Sequence, residues 1–126
     1  GNIKSIEGEP NQMKPIIVKN SIVPKLFSWF FPVGAITLFP FIFAADKEPE
    51  DWLLRHEEIH FKQYLELLII GFPLIYAWDF LRGYWRCRNF ADAYHSIRFE
   101  QESYQNESNP NYLKERKKYA WRKYEV

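Results

Sequence analysis

Polar and apolar positions fall in blocks along this chain, and the block boundaries mark its expected elements. Residues 1–24 are polar and turn-rich, punctuated by Pro10, Pro15 and Pro24, with one short β-branched run at Ile16–Val18; this pattern predicts an extended arm over residues 1–25. From Leu26 to Ala45 the chain carries no charge, a length that would suffice for a transmembrane helix. Pro32, Gly34 and Pro40 interrupt that run, however, and Val33, Ile36, Thr37, Phe39, Phe41, Ile42 and Phe43 are β-branched or aromatic. Short strands are therefore expected, with Pro40 on an edge strand or at a bulge, and a membrane span is the competing reading.

Helical signals begin at Asp46-Lys47-Glu48-Pro49-Glu50-Asp51, where proline and acidic residues suit a helix start. The helix is predicted to continue to about Ile70, and Gly71 and Pro73 mark a break. A second apolar segment, Leu67 to Trp78, lies between Glu66 and Asp79 and is too short for a span, so it reads as a buried helix. Asn89 to about Asn106 reads as a third helix, and Asn109-Pro110 begins a fourth, basic one from Tyr112 to Tyr124. The fold class expected is α+β and mainly helical: a small strand pair from about Ile36 to Phe43, then four helices, in one domain over 26–126.

Composition narrows the partners. With 126 residues and a net charge of +1, the chain fits one core and has no overall bias toward nucleic acid. Aromatic residues make up 19% of it, which calls for an aromatic core or for a surface that meets a membrane or protein. The single Cys87 excludes an internal disulfide framework. No apolar signal-peptide region lies between Gly1 and Lys25. Gly1-Asn2-Ile3-Lys4-Ser5 fits the myristoylation pattern after loss of an initiator Met, although a purification scar or a processed precursor would look the same. The basic aromatic stretch Lys114–Tyr124 could bind anionic lipid or nucleic acid, but the preferred reading is a solvated helix whose aromatic side covers the core.

The chemistry is concentrated in His56-Glu57-Glu58-Ile59-His60, an HExxH sequence inside a predicted helix. Residues four apart share a helix face, so both imidazoles can reach one zinc ion, with Glu57 beside them as a general base for a metal-bound water. A catalytic zinc needs a third protein ligand and one open position. Glu100, Glu102 and His95 are the downstream candidates. On a continuous helix Glu100 shares a face with Ser96, Ile97, Ser103 and Tyr104, while Glu102 lies about 200° away, so only one of the two carboxylates is expected to point inward. The competing reading makes Arg55, Glu57, Glu58 and Lys62 a solvated set of i,i+4 pairs and the histidines incidental.

With these residues the sequence resembles the gluzincin zinc peptidases, the class that includes thermolysin. The resemblance implies that His56, His60 and Glu100 bind zinc. It also places Tyr104, in Phe99-Glu100-Gln101-Glu102-Ser103-Tyr104, where the family often has a ligand-orienting aspartate. It further gives the segment from Ile36 through Thr37, Leu38 and Phe39 a use, as an edge strand against which an extended peptide substrate pairs. An oxyanion donor is needed too: His95, Tyr94, Arg98 and Tyr104 are candidates, with His95 preferred. The function expected is zinc-dependent peptide hydrolysis. The alternatives are a structural or interaction component of a viral particle or membrane assembly that keeps the zinc fold, and an integral membrane peptidase if 26–45 spans.

Overall fold

The computed structural model describes residues 13–28 and 33–126. The chain is α+β and mainly helical, with one small sheet. The arm is not simply extended: it forms strand β1 (Ile16–Val18) and a short helix α1 (Val23–Phe27), in which Pro24 is buried. Strand β2 (Ala35–Leu38) and strand β3 (Phe41–Ala44) make the expected hairpin, turned by Phe39 and a cis Pro40. Pro40 therefore lies in the turn and not on the edge strand or at the bulge expected of it, because a turn requires no strand hydrogen bond from its missing N–H. β3 is central, antiparallel to β2 and parallel to β1, so the strand pair becomes a three-stranded sheet. The Gly1–Ser5 pattern and residues 29–32 of the uncharged run lie outside the described residues.

The HExxH helix, α2, spans Asp51–Glu66 and is shorter than predicted at both ends. Its start is delayed because the residue before a proline avoids helical backbone, which excludes Glu48, and Glu50 is the extended N-cap. Its end is fixed by Leu68 and Ile69, both at positive φ. Pro73 sits in the first turn of the next helix, where its ring would collide with the carbonyl of residue 69 in a continuous helix. That next helix, α3, spans Gly71–Cys87 and is not the buried helix expected: Phe72, Asp79 and Gly83 are buried, whereas Leu74, Trp78, Leu81 and Trp85 face outward. Among the described residues no single helix is long and apolar enough to cross a membrane; α2 and α3 together reach the length and composition but bend by 112° at their junction.

The predicted third helix is two helices, α4 (Phe90–Ser96) and α5 (Arg98–Asn106), separated by an extended Ile97. Asp79 of α3 decides this break. Its carboxylate accepts the Arg98 backbone N–H at 3.2 Å and the Arg98 guanidinium at 2.9 Å, capping α5 from another helix. The fourth helix also fails to run through: only α6 (Tyr112–Glu115) and a 3-10 turn (Ala120–Lys123) form. Arg116 leaves the helix in extended backbone and places its buried guanidinium between Glu66 and Glu102. The core is aromatic, with Phe72 stacked on Tyr64 and on Phe99, and Trp121 edge-on to Phe99.

Candidate metal centre

Helix α2 lies against β2 on one side and α5 on the other, and this packing brings three distant residues to one point. The Nε2 atoms of His56 and His60 each stand 3.1 Å from Glu100 Oε1. All three ligand atoms fall within 4.8 Å of one another, and all three residues are buried. The α2 face carrying the two histidines at i and i+4 is thus matched by the first turn of α5.

The outer ring nitrogens are also held. His56 Nδ1 lies 2.7 Å from Glu107 Oε1, and His60 Nδ1 lies 2.7 Å from Gln63 Oε1. The Gln63 amide has a single workable orientation, because its nitrogen donates to the Phe99 carbonyl at 3.2 Å and to Glu102 Oε1 at 2.9 Å. Its carbonyl must therefore face His60, so Nδ1 carries a proton there and Nε2 is the nitrogen that could take a metal. Glu102 in turn accepts from Arg116, Tyr112 and Gln63. A continuous chain of polar contacts thus runs from Arg116 through Glu102 and Gln63 to His60.

Without a cation the cluster is tied together by protons. Burial opposes charging of His60, but the attraction of Glu100 and its hydrogen bond outweigh that and raise the pKa to about 9. His56 moves in the same direction, with burial again opposed by its bond to Glu100. Burial alone would raise the Glu100 carboxyl; the two histidines reverse this and hold it well below the usual carboxylate range. A divalent cation replacing those protons would meet two neutral imidazoles and one carboxylate.

Beside the cluster lies a cavity of about 360 Å³ whose wall includes Glu57, His60 and Glu100. Glu57 is buried, and Thr37 Oγ1 donates to its Oε1 at 2.7 Å and to its backbone carbonyl at 3.0 Å. All four β2 residues, from Ala35 to Leu38, line the same cavity. Side chains alternate along a strand, so four consecutive lining residues put the strand's backbone edge on the wall. Among the described residues β2 pairs only with β3, which leaves that edge without a strand partner. The remaining wall is mostly apolar, from Phe72, Pro73, Ala77 and Phe80.

Several sequence expectations are redistributed. Of the four residues expected on a substrate-pairing strand, Ile36, Thr37 and Leu38 line the cavity, but Phe39 lies in the turn and stacks on Phe61 at 5.0 Å, packed against the core. His95 is exposed and does not line the cavity, because Ile97 resets the chain direction between α4 and the helix that carries Glu100. Arg98 is occupied by Asp79. Tyr104 hydrogen-bonds neither histidine; its ring packs edge-on to His56 at 4.5 Å, and its hydroxyl meets that of Tyr94 at 3.0 Å. The carboxylate on His56 is instead Glu107, two helical turns beyond Glu100. Glu102 is as buried as Glu100, contrary to the single inward carboxylate expected, because the C-terminal segment folds over it and supplies Arg116.

Tyr76 gave no signal in the sequence, whereas Tyr94 was among the donor candidates behind His95. Tyr76 donates to Glu100 Oε2 at 2.7 Å from the buried side of α3, and Tyr94 lines the cavity. Burial and the charge of Glu100 push both hydroxyls far up, so both stay protonated. Gln63 and Glu107 did carry a signal, since they lie three residues beyond His60 and seven beyond Glu100, on the same helix faces.

Comparison with protein-family models, with curated proteins and with solved structures finds no match for this chain.

Proposed function

We propose that this chain is a minimal zinc-dependent peptidase, with His56, His60 and Glu100 as zinc ligands and Glu57 as general base. One observation carries the reading: two imidazole nitrogens and one carboxylate oxygen converge beside Glu57 on the wall of a cavity whose flank is an unpaired strand edge. The donor set fits the metal. Ligands about 2 Å from a tetrahedral zinc stand about 3.3 Å apart, close to the 3.1 Å between Glu100 Oε1 and each histidine. Both histidines also have outer partners that fix the ligating tautomer, as zinc sites require. The order of strand edge, HExxH helix and later glutamate helix agrees with the gluzincin resemblance.

Bound zinc would supply a Lewis acid and lower the pKa of a water at the site toward neutrality. The chain's own residues do the rest. An extended peptide pairs with the β2 edge, which places a carbonyl carbon near Glu57. Thr37 holds Oε1 of Glu57, and the other carboxylate oxygen takes the water's proton as the new C–O bond forms. Glu57 then returns that proton to the amide nitrogen as the C–N bond breaks. Tyr94, kept protonated, donates a hydrogen bond to the oxygen that gains negative charge.

Metal analysis of the purified chain should find a single zinc, absent from His56→Ala. Glu57→Gln should retain zinc and lose cleavage of a mixed peptide library by about 10²- to 10⁴-fold. Tyr94→Phe should lower kcat by about 10²-fold and leave KM nearly unchanged. Zinc in wild type and Glu57→Gln with cleavage in neither would replace the peptidase with a structural zinc protein. Cleavage by both would remove Glu57 as the base.

A further inference from the structure

Helix α3 carries an exposed apolar surface apart from the metal cluster. Leu74, Trp78, Leu81 and Trp85 recur at four- and three-residue spacing on one side of the helix, and the turn before it adds Leu68 and Ile70. Each of these six is between 58% and 85% exposed. Leu68 and the neighbouring Ile69 sit at positive φ, so the turn projects consecutive aliphatic residues from the end of the helix. A continuous apolar stripe of this size on a small domain marks an interaction site.

Its charges identify the partner. From Leu67 to Phe90 the acidic complement is Asp79 alone, which is buried and held by Arg98 and Arg82. Arg82, Arg86 and Arg88 are exposed at the same end of the helix as Trp78 and Trp85. The Arg82 guanidinium lies 5.8 Å from the Trp78 ring, and that of Arg88 lies 4.8 Å from the Trp85 ring. Two copies pairing along this stripe would leave the arginines with no exposed carboxylate on the partner helix to meet them, so self-association gains nothing from these charges. Exposed indoles, a projecting aliphatic turn and flanking arginines match the layers of a bilayer surface: acyl boundary, headgroup level and anionic phosphate.

We propose that α3 and the Leu67–Ile70 turn dock this chain flat on a bilayer containing anionic lipid. The docked face adjoins the cavity, because Pro73, Ala77 and Phe80 line the cavity from the next strip of the same helix. Docking therefore places the cavity mouth beside the membrane surface. The basic segment Lys114–Tyr124 is not needed for this contact.

Sedimentation of the full chain with phosphatidylcholine vesicles, with and without phosphatidylserine, tests the proposal. Wild type should pellet with the phosphatidylserine vesicles, and less so as salt is raised. Leu74→Ser with Trp78→Ser should lower the partition coefficient at least about tenfold, and Arg86→Glu about fivefold or more. Circular dichroism and melting should be unchanged in both variants, since these side chains are exposed. Wild type remaining in the supernatant with both vesicle types would overturn the proposal, as would equal binding to both. A dimer in analytical ultracentrifugation that Trp78→Ser dissociates, without lipid binding, would reassign the face to a second copy of the chain.

Discussion

Replacing Arg116 with Met keeps most of the side chain's length and removes its charge, which isolates what the guanidinium does. In the native chain Arg116 bonds Glu66 at 2.6 and 3.1 Å and Glu102 at 2.5 and 3.1 Å, and all three side chains are nearly inaccessible. Removing one partner of a buried ion pair costs about 3–5 kcal/mol, because the remaining charge stays desolvated. Glu102 keeps Tyr112 and Gln63, and Glu66 keeps the Tyr119 N–H, so a loss of about 3 kcal/mol is expected. Urea unfolding of the metal-free chain measures it. Adding Glu102→Gln should restore about 2 kcal/mol, since the stranded charge is then removed. Zinc affinity should also fall about tenfold, because Glu102, no longer fixed by Arg116, holds Gln63 less firmly in its orientation toward His60. A stability loss below about 1 kcal/mol would mean that the network behaves as solvated surface pairs, and the reasoning would fail.

Other outcomes follow from the same geometry. His60 has a folded-state pKa of about 9 against an ordinary 6.5, so its contribution is complete below 6.5 and disappears as pH rises through 9. The metal-free chain should lose about 3 kcal/mol across that interval by urea titration, while Glu100→Gln should show a nearly flat profile; identical profiles would refute the assignment. Zinc affinity should weaken as pH falls, because the same protons must leave, and calorimetry in buffers of different ionisation heat should detect their release. Glu107→Gln should weaken zinc binding about tenfold in a chelator competition and leave the melting temperature of the metal-free chain less affected than the Arg116 change does. Gly83→Ala should destabilise by about 1–3 kcal/mol, read as a lowered urea midpoint, because the new methyl would press on Ser96 Oγ and stand 3.3 Å from the Ala93 backbone.

Local patterns in the sequence were sufficient for the fold class, a strand pair within Ile36–Phe43, the break before Pro73 and the pairing of His56 with His60 on one face. Those features depend on spacings of two to four residues, which a chain displays directly. Four others depended on contacts between segments far apart in sequence. Asp79 caps α5 across the fold and splits a helix that local propensity would continue. Arg116 is drawn out of a basic helix by two buried carboxylates, and with that the inward turn of Glu102 is accounted for. Glu107, rather than Tyr104, reaches His56, and Tyr76 reaches Glu100 from a helix that reads as plain hydrophobic. The exposed side of α3 was hidden for the same reason: an apolar stripe looks identical whether it is covered or bare. By itself, then, the sequence determined that the two histidines share one helix face, and it left Glu100, Glu102 and His95 as the candidates to join them. Only the tertiary structure decided which carboxylates surround them, because burial and charge pairing between remote segments set side-chain direction more strongly than helix periodicity does.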